Sequence, residues 1–509
     1  MLAPAMRTNA VLLFAAAAAA LAACAAASTP DPSVQPEPHT ASPRPVAPPP
    51  SPPVAAPAKA PEPPPPGAAV ALKLADMART ESQAYDTVRS LVDEVGPRLS
   101  GSAGDKAGVA WAVAAMKAKG LANVRAEKVM VPHWERGQES GRIVSPTPHT
   151  LSLTALGGTV GTPPRGIEGE VVRVDSLEAI DKLEEAKLKG KILFVSAPTE
   201  RRQDGRGYGK TAGVRSRSAV AAAKKGAIAV VIRSIGTDHD RMPHTGAMRY
   251  EKGVKEIPAA AMSIPDADLL DRLVAAGKPV RLAMTLGAKT LPDAESANVI
   301  GEVVGREKPD EIVLIGAHLD SWDLGFGAVD DGAGCAAVME AARLIAKLPE
   351  RPRRTVRVVL FANEENGLKG AFGYAKDHAA EIDKHLIALE ADAGAGRVLN
   401  IRFLAPAEAM PKLAFIPKLV EPLGVKRADE DAHGGADLIP LREAGVPLVD
   451  LLQDMESYFD VHHTPNDTLA QVKKEDIDHM VASIAIVAHA AADLPEAIGK
   501  LPEDKRKWR

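Results

Sequence analysis

The chain has 509 residues, enough for two to four domains and a large core. Its formal net charge of -4 leaves no basic excess, which argues against a nucleic-acid partner. Aromatic residues make up only 3%, while Ala, Val and Leu dominate, a composition suited to a helix-rich α/β chain.

The first residues are the least globular. Met1 to Arg7 is short and basic, and the apolar run Val11 to Ala23 is too short to span a bilayer. It ends in "LAAC", which resembles the lipobox of bacterial lipoproteins, where the cysteine is lipidated after cleavage. Residues 1–23 are thus expected to be a lipoprotein signal peptide and Cys24 the lipidated residue; an ordinary signal peptide with an incidental cysteine is the other reading. Ala25, not aspartate, follows the cysteine, which directs the expectation to the outer membrane. With Cys24 lipidated, Cys335 would be alone and a disulfide excluded. From Pro30 to Pro66, 17 of 37 residues are proline. Such a segment builds no core. Residues 24–68 read as an extended tether whose proline-rich part, Pro30 to Pro66, could span about 100 Å at ~3.1 Å per residue, or as a proline-rich ligand for a partner domain.

The folded part is expected from Ala69. "ALKLADMARTESQAYDTVRSLVDEV" has a helical period, "GPRLSGSAG" breaks it, and "DKAGVAWAVAAMKAKG" is a second helix. "VRAEKVMVPHW" reads as a strand. Between Gly158 and Ala288 short aliphatic strands alternate with glycine-bounded turns and the helix "RSAVAAAKKG", predicting a small, mostly-β insert. Thereafter strands and helices alternate regularly. "EIVLIGAHLD", "RTVRVVLFANEE", "HLIALEADAG" and "VPLVDLLQD" are strands; "AGCAAVMEAARLIAKL", "LKGAFGYAKDHA" and "EDIDHMVASIAIVAHAAADL" are helices. The fold class is therefore α/β, with a mixed, mainly parallel sheet covered by helices on both faces. The expected domains are one discontinuous main domain in two parts (69–157 and 289–494, the second carrying the strand ends), the insert (158–288) and a charged tail (495–509).

Ligands in such sheets bind beyond the carboxyl ends of the strands. Those ends carry His318 and Asp320, then Glu364 and Glu365, then Asp392; "AVDDGAG" adds Asp330 and Asp331, and "HHTPNDT" adds His462 and His463. Singly, each is a turn or helix cap. Together, at successive strand ends, they are what a metal site needs. Imidazole and carboxylate without thiolate suit zinc. Even two of these imidazoles with four of the carboxylates exceed one tetrahedral ion and match two, one carboxylate bridging, with a hydroxide held between the ions. The neighbouring glutamates then differ in role: Glu365 binds metal, and Glu364 stays free as general base.

These residues resemble the co-catalytic di-zinc exopeptidases of the M28 type, and residues from about Ala69 to Leu494 resemble their carboxypeptidase Q branch. "GPRLSGS", "VPHWERG", "RSAVAAAKKGAIAVVIRS", "SANVIGEVVG" and "GAHLDSWDLGFGAVDDGAG" carry the likeness beyond the metal positions. The resemblance implies His318 and Glu365 in separate metal shells, bridged by Asp330 and completed by Asp392 and His463. Glu364 is the implied base, and Asp320 the partner that fixes the His318 tautomer. His462 and Tyr458 would border the substrate, and Asp323 and Asp331 would give polar support. A cis bond is expected at Asp330–Asp331. The insert resembles a protease-associated domain that shapes access without chemistry, its His239 and His244 being surface residues; Cys335 is a core residue.

The function so implied is a zinc-dependent exopeptidase acting on dipeptides or short peptides with a free N-terminus, with two Zn2+ per chain. Side-chain preference and oligomeric state stay open; branch relatives suggest a homodimer. The alternatives are a non-catalytic scaffold of the same fold and a single-zinc aminoacyl cyclase-like enzyme.

Overall fold

The apolar runs that end in the candidate residues form the centre of one sheet. A computed structural model describes residues 63–507, so the signal peptide, Cys24 and most of the tether lie outside the described residues. The larger sheet has eight strands in the spatial order Ala122–Glu135, Lys289–Val303, Arg354–Phe361, Lys308–His318, His385–Glu390, Leu448–Gln453, Val398–Leu404, Lys426–Arg427. The four central strands are mutually parallel, and the strands flanking them pair antiparallel. This is a mixed sheet with a parallel middle.

Register sets the site. His318 pairs with Phe361, and Gly316 pairs with Glu390. Three neighbouring strands therefore end level, and the residues after each end meet on one edge. Along Lys308–His318, Val313, Ile315 and Ala317 pack with the helices Ala333–Ala346 and Lys474–Ala492. Ile312 and Leu314 pack instead with Tyr374, Leu438 and Leu441. This alternation follows from the two-residue period of a strand.

A second eight-stranded sheet runs His149–Leu151, Glu139–Ser145, Arg281–Leu286, Ile167–Val174, Ile192–Val195, Ala229–Arg233, Ala259–Met262, Leu153–Ala155. Its last four strands before the edge are parallel, and the helix Arg206–Lys224 packs beside them. From sequence the insert begins at Gly158, but this sheet already takes in strands from Glu139 onward. Those strands, "ESGRIVS" and "HTL", are short and polar and carry no clear alternation.

The first predicted helix is two, Ala68–Glu81 and Ala84–Glu94. Ser82 is extended at the break, and the Gln83 amide donates to Glu340 Oε1 at 2.9 Å. A carboxylate 257 residues away thus replaces the helical acceptor. The strand Val398–Leu404 was not foreseen; "VLNIRFL" reads equally as a buried helical turn.

Candidate metal centre

The chain leaves the strand Arg354–Phe361 through Asn363, at φ 65°. Asn363 O then accepts from Leu368 N at 2.7 Å, closing a turn that carries Glu364 and Glu365. In a turn, neighbouring side chains no longer have to face opposite sides of a sheet. Glu365 is buried and Glu364 half-buried.

His318 ends its strand, almost wholly buried. Its Nδ1 faces the carbonyl of Asp320 at 3.0 Å, leaving Nε2 free, 3.1 Å from Asp330 Oδ1 and 3.6 Å from Asp392 Oδ1. The other oxygen of Asp330 lies 3.2 Å from His463 Nε2, which is also 3.0 Å from Glu365 Oε2. Asp330 therefore stands between two groups, His318 with Asp392 and His463 with Glu365. His463 takes φ 62°, and its Nδ1 faces the carbonyl of Thr245 at 3.2 Å. A carbonyl on Nδ1 fixes the tautomer that offers Nε2 to a metal.

His462 stacks on His463 with ring centres 3.5 Å apart, and its Nε2 is 3.6 Å from Asp330 Oδ2. It is farther from the Asp330 carboxylate than His463 is. Tyr458 is buried and meets His462 edge-on at 5.0 Å. Asp320 acts on His318 through its carbonyl; its carboxylate accepts instead from Ser100 Oγ and the Glu364 amide, at 2.9 and 3.0 Å. Asp331 accepts from the His318 amide and from Gly334 at the start of the next helix, and the Asp330–Asp331 bond is cis. Asp323 turns away from the centre to pair with Arg136 at 2.6 and 2.7 Å. Cys335 is buried in the core. His239 is exposed, but His244 is not a surface residue. It is buried, with Nδ1 2.7 Å from the carbonyl of His462 and Nε2 2.6 Å from Asp238. Two residues of the segment read as an insert without chemistry thus reach the centre, Thr245 at the candidate ligand His463 and His244 at its neighbour His462.

Three further residues had no reading as part of the site. Asp467 accepts from the amides of Val329 and Asp330 at 2.7 and 3.2 Å, and so fixes the backbone that carries the Asp330 carboxylate. Trp322 donates Nε1–H to Glu365 Oε2 at 2.5 Å. Thr245 was hidden because it acts through its backbone.

Burial alone would lower the His318 imidazole, but Asp330 and Asp392 outweigh it and raise it well above its ordinary value. Burial would raise Asp330, yet His318 and His463 hold it well below the carboxylate range. Glu364 goes the other way: burial, then Asp392 and Glu365, push it well up. This is the pattern of a pocket in which protons stand where cations would be held. Glu365 Oε1 is buried without a hydrogen-bond partner, an orphaned acceptor that a metal would satisfy. Among the described residues, His318, Asp330 and Asp392 form one group whose ligand atoms lie within 4.8 Å of one another, and Asp330, His462 and His463 form another. The donor set, free of thiolate, fits zinc.

A family model described as Peptidase family M28 matches residues 298–488. Carboxypeptidase Q of Mus musculus is 36% identical over 431 residues, 85% of this chain and 90% of that protein. The crystal structure of a Peptidase M28 precursor from Shewanella amazonensis SB2B superposes with a TM-score of 0.84 at 50% identity, covering 86% of this chain and 99% of the other. A zinc aminopeptidase from Bacillus subtilis shares the fold, with a TM-score of 0.60 at 22% identity over 84% and 98% of the chains.

Proposed function

Because this chain belongs to peptidase family M28, we propose that it is a zinc-dependent exopeptidase that hydrolyses dipeptides or short peptides bearing a free N-terminus. The observation that carries this reading is the double approach of Asp330, one oxygen to His318 Nε2 at 3.1 Å and the other to His463 Nε2 at 3.2 Å. A one-ion site needs no such bridge, which disfavours the cyclase-like alternative.

In this reading His318, Asp330 and Asp392 hold one zinc, and Asp330, Glu365 and His463 hold the other. Two bound zinc ions would polarise the scissile carbonyl and acidify the attacking water. Glu364, which lines the same cleft without a ligand's contacts, takes the water's proton. As the oxygen bonds to the carbonyl carbon and the C–N bond breaks, Glu364 passes that proton to the leaving amine. The carboxylates also favour the cationic α-amine of a substrate over a blocked one. The second sheet is read as a protease-associated type of insert that borders the cleft, and both faces of the larger sheet as helix-covered. The proposal extends to export and lipid anchoring at Cys24 in the outer membrane, with homodimer formation; among the described residues no helix is long and apolar enough to cross a membrane.

The test is metal content together with a screen of dipeptides and N-blocked dipeptides, with and without chelator. Two zinc per chain and chelator-sensitive cleavage of unblocked dipeptides are expected. One zinc with cyclised product, or no metal and no turnover, overturns the reading in favour of a cyclase or a scaffold.

A further inference from the structure

Arg98 stands in the segment "GPRLSGS" between the helices Ala84–Glu94 and Ala103–Ala118, away from the cleft, and its side chain is fully buried. A buried guanidinium needs acceptors, because five N–H donors taken from water and left unmet are costly. Here the acceptors are main-chain carbonyls. Nε donates to Leu319 O at 2.7 Å, Nη1 to Gly96 O at 2.9 Å and to Phe326 O at 2.8 Å, and Nη2 to Gly327 O at 2.9 Å.

Three of these carbonyls belong to one loop, residues 319–327, which runs from His318 to the turn Ala328–Gly332 that carries Asp330. Leu319 directly follows His318, and Gly327 directly precedes the turn. One planar group thus gathers both ends of the loop, and with them His318 Nε2 and Asp330 Oδ1, 3.1 Å apart. Gly327 O also accepts from Gly332 N at 3.1 Å, so the carbonyl that Arg98 holds is the one that closes the turn. The backbone of Arg98 adds to the grip: its amide donates to Ser321 Oγ at 3.1 Å, and its carbonyl accepts from Ser321 N at 3.3 Å. The loop is shaped around this side chain. Gly327 takes φ +59°, and a Cβ there would stand 2.7 Å from Arg98 Nη2. Burial pulls the guanidinium below its ordinary value, and the carboxylates of Asp467, Asp320 and Asp331 counter part of that. Arg98 is therefore a cation set among acidic groups that border the metal centre without being its proposed ligands.

We propose that Arg98 is a positioning residue of the metal centre: by holding the carbonyls of Leu319, Phe326 and Gly327 on one guanidinium, it sets the spacing of His318 and Asp330 and so the affinity of the ion they hold. This rests on the metal reading of His318, Asp330 and Asp392. The role needs the rigid fork of an arginine. A lysine ammonium is a compact point charge with three donors, and it cannot meet carbonyls spread over Nε, Nη1 and Nη2.

The test compares Arg98→Lys, which keeps the charge and loses the fork, with Arg98→Met, which keeps neither. Zinc affinity is read by competition with a chromogenic chelator, the metal surroundings by the visible spectrum of cobalt-loaded protein, and kcat and KM with Ala-Ala as substrate. Arg98→Lys should bind one of its two ions about 10–100-fold less tightly, the scale of a lost partner outside the metal shell, with altered cobalt bands. Arg98→Met should be weaker still. In both, kcat should fall while KM stays near that of the parent, because Arg98 does not line the cleft. A side chain that only fills the core would lower the melting temperature and leave zinc affinity and cobalt bands of the folded protein as they were. That result in Arg98→Lys overturns the proposal, and this variant decides even where Arg98→Met fails to fold. A parent that binds no zinc brings down the metal reading and the proposal together; a parent with two ions and a parent-like Arg98→Lys brings down the proposal alone.

Discussion

Trp322 donates its indole N–H to Glu365 Oε2, the same oxygen that lies 3.0 Å from His463 Nε2. A hydrogen bond to a carboxylate ligand from outside the metal shell fixes which oxygen is presented, and loss of such a partner typically weakens metal binding about 10–100-fold. The indole is also wedged against the backbone, since a Cβ at Gly157 would stand 1.9 Å from its ring. Trp322→Phe keeps most of that ring and removes the donor. The variant should melt close to the parent but bind its weaker zinc about 10–100-fold less tightly in a competition titration with a chromogenic chelator. Unchanged zinc affinity would reduce the contact to packing.

The two neighbouring glutamates should separate cleanly. Glu364→Gln removes a proton acceptor that makes no ligand contact, so zinc content should stay at two per chain while kcat falls by roughly 10²–10⁴-fold. Glu365→Gln removes the negative charge of a proposed ligand beside His463, so zinc content itself should drop towards one per chain. Elemental analysis run beside dipeptide turnover distinguishes the pair, and full turnover by Glu364→Gln would remove it from the role of base.

Asp467 offers a test of backbone positioning. Its two oxygens accept from Val329 N and Asp330 N, and burial, followed by the charge of Asp330, lifts its carboxyl to about 7. Asp467→Asn would turn an NH2 group towards one of those amides, setting donor against donor. The bridging Asp330 should then shift, with loss of the second zinc and of activity by at least about tenfold, the scale of a lost partner outside the metal shell. Asp467→Ala leaves both amides unmet and should be worse, with a lowered melting temperature as well. Normal metal content in both variants would show that the segment holds Asp330 without this carboxylate.

The ease of reading differed between parts of the centre for a physical reason. His318, Glu364, Glu365 and Asp392 were legible because each directly follows a continuous apolar run, and such runs mark the buried strands of a parallel sheet. The register that brings these ends level, His318 opposite Phe361 and Gly316 opposite Glu390, turns that linear pattern into one edge. Asp467, Thr245, His244 and Trp322 were not legible. Asp467 sits in a string that reads as an ordinary turn, Thr245 acts through a carbonyl, and His244 reaches the carbonyl of His462 across 218 residues. Their contacts arise from tertiary placement, which leaves no period in the chain. The same holds for the break between the first two helices, made by Glu340 far along the sequence.

Asp105 provides a pH test away from the ligands. It lies in the first turn of the helix Ala103–Ala118, accepting from the Gly101 amide and from Ser296 Oγ, each at 2.7 Å. Burial lifts its carboxyl from 3.8 to about 6, the two hydrogen bonds offsetting only part of that cost. A carboxyl raised on folding binds its proton more tightly in the native state than in the unfolded one. Its contribution is therefore whole below pH 3.8, declines as pH rises, and is lost above about 6, on the order of 3 kcal/mol in all. Asp105→Asn cannot ionise, so its melting temperature relative to the parent should climb between pH 4 and 6 and level off above 7. Thermal melts of both proteins at matched pH cancel effects common to them, including zinc loss in acid. A difference that stays flat across that window, or falls, would mean that Asp105 is held ionised in the native protein and that its two donors outweigh burial.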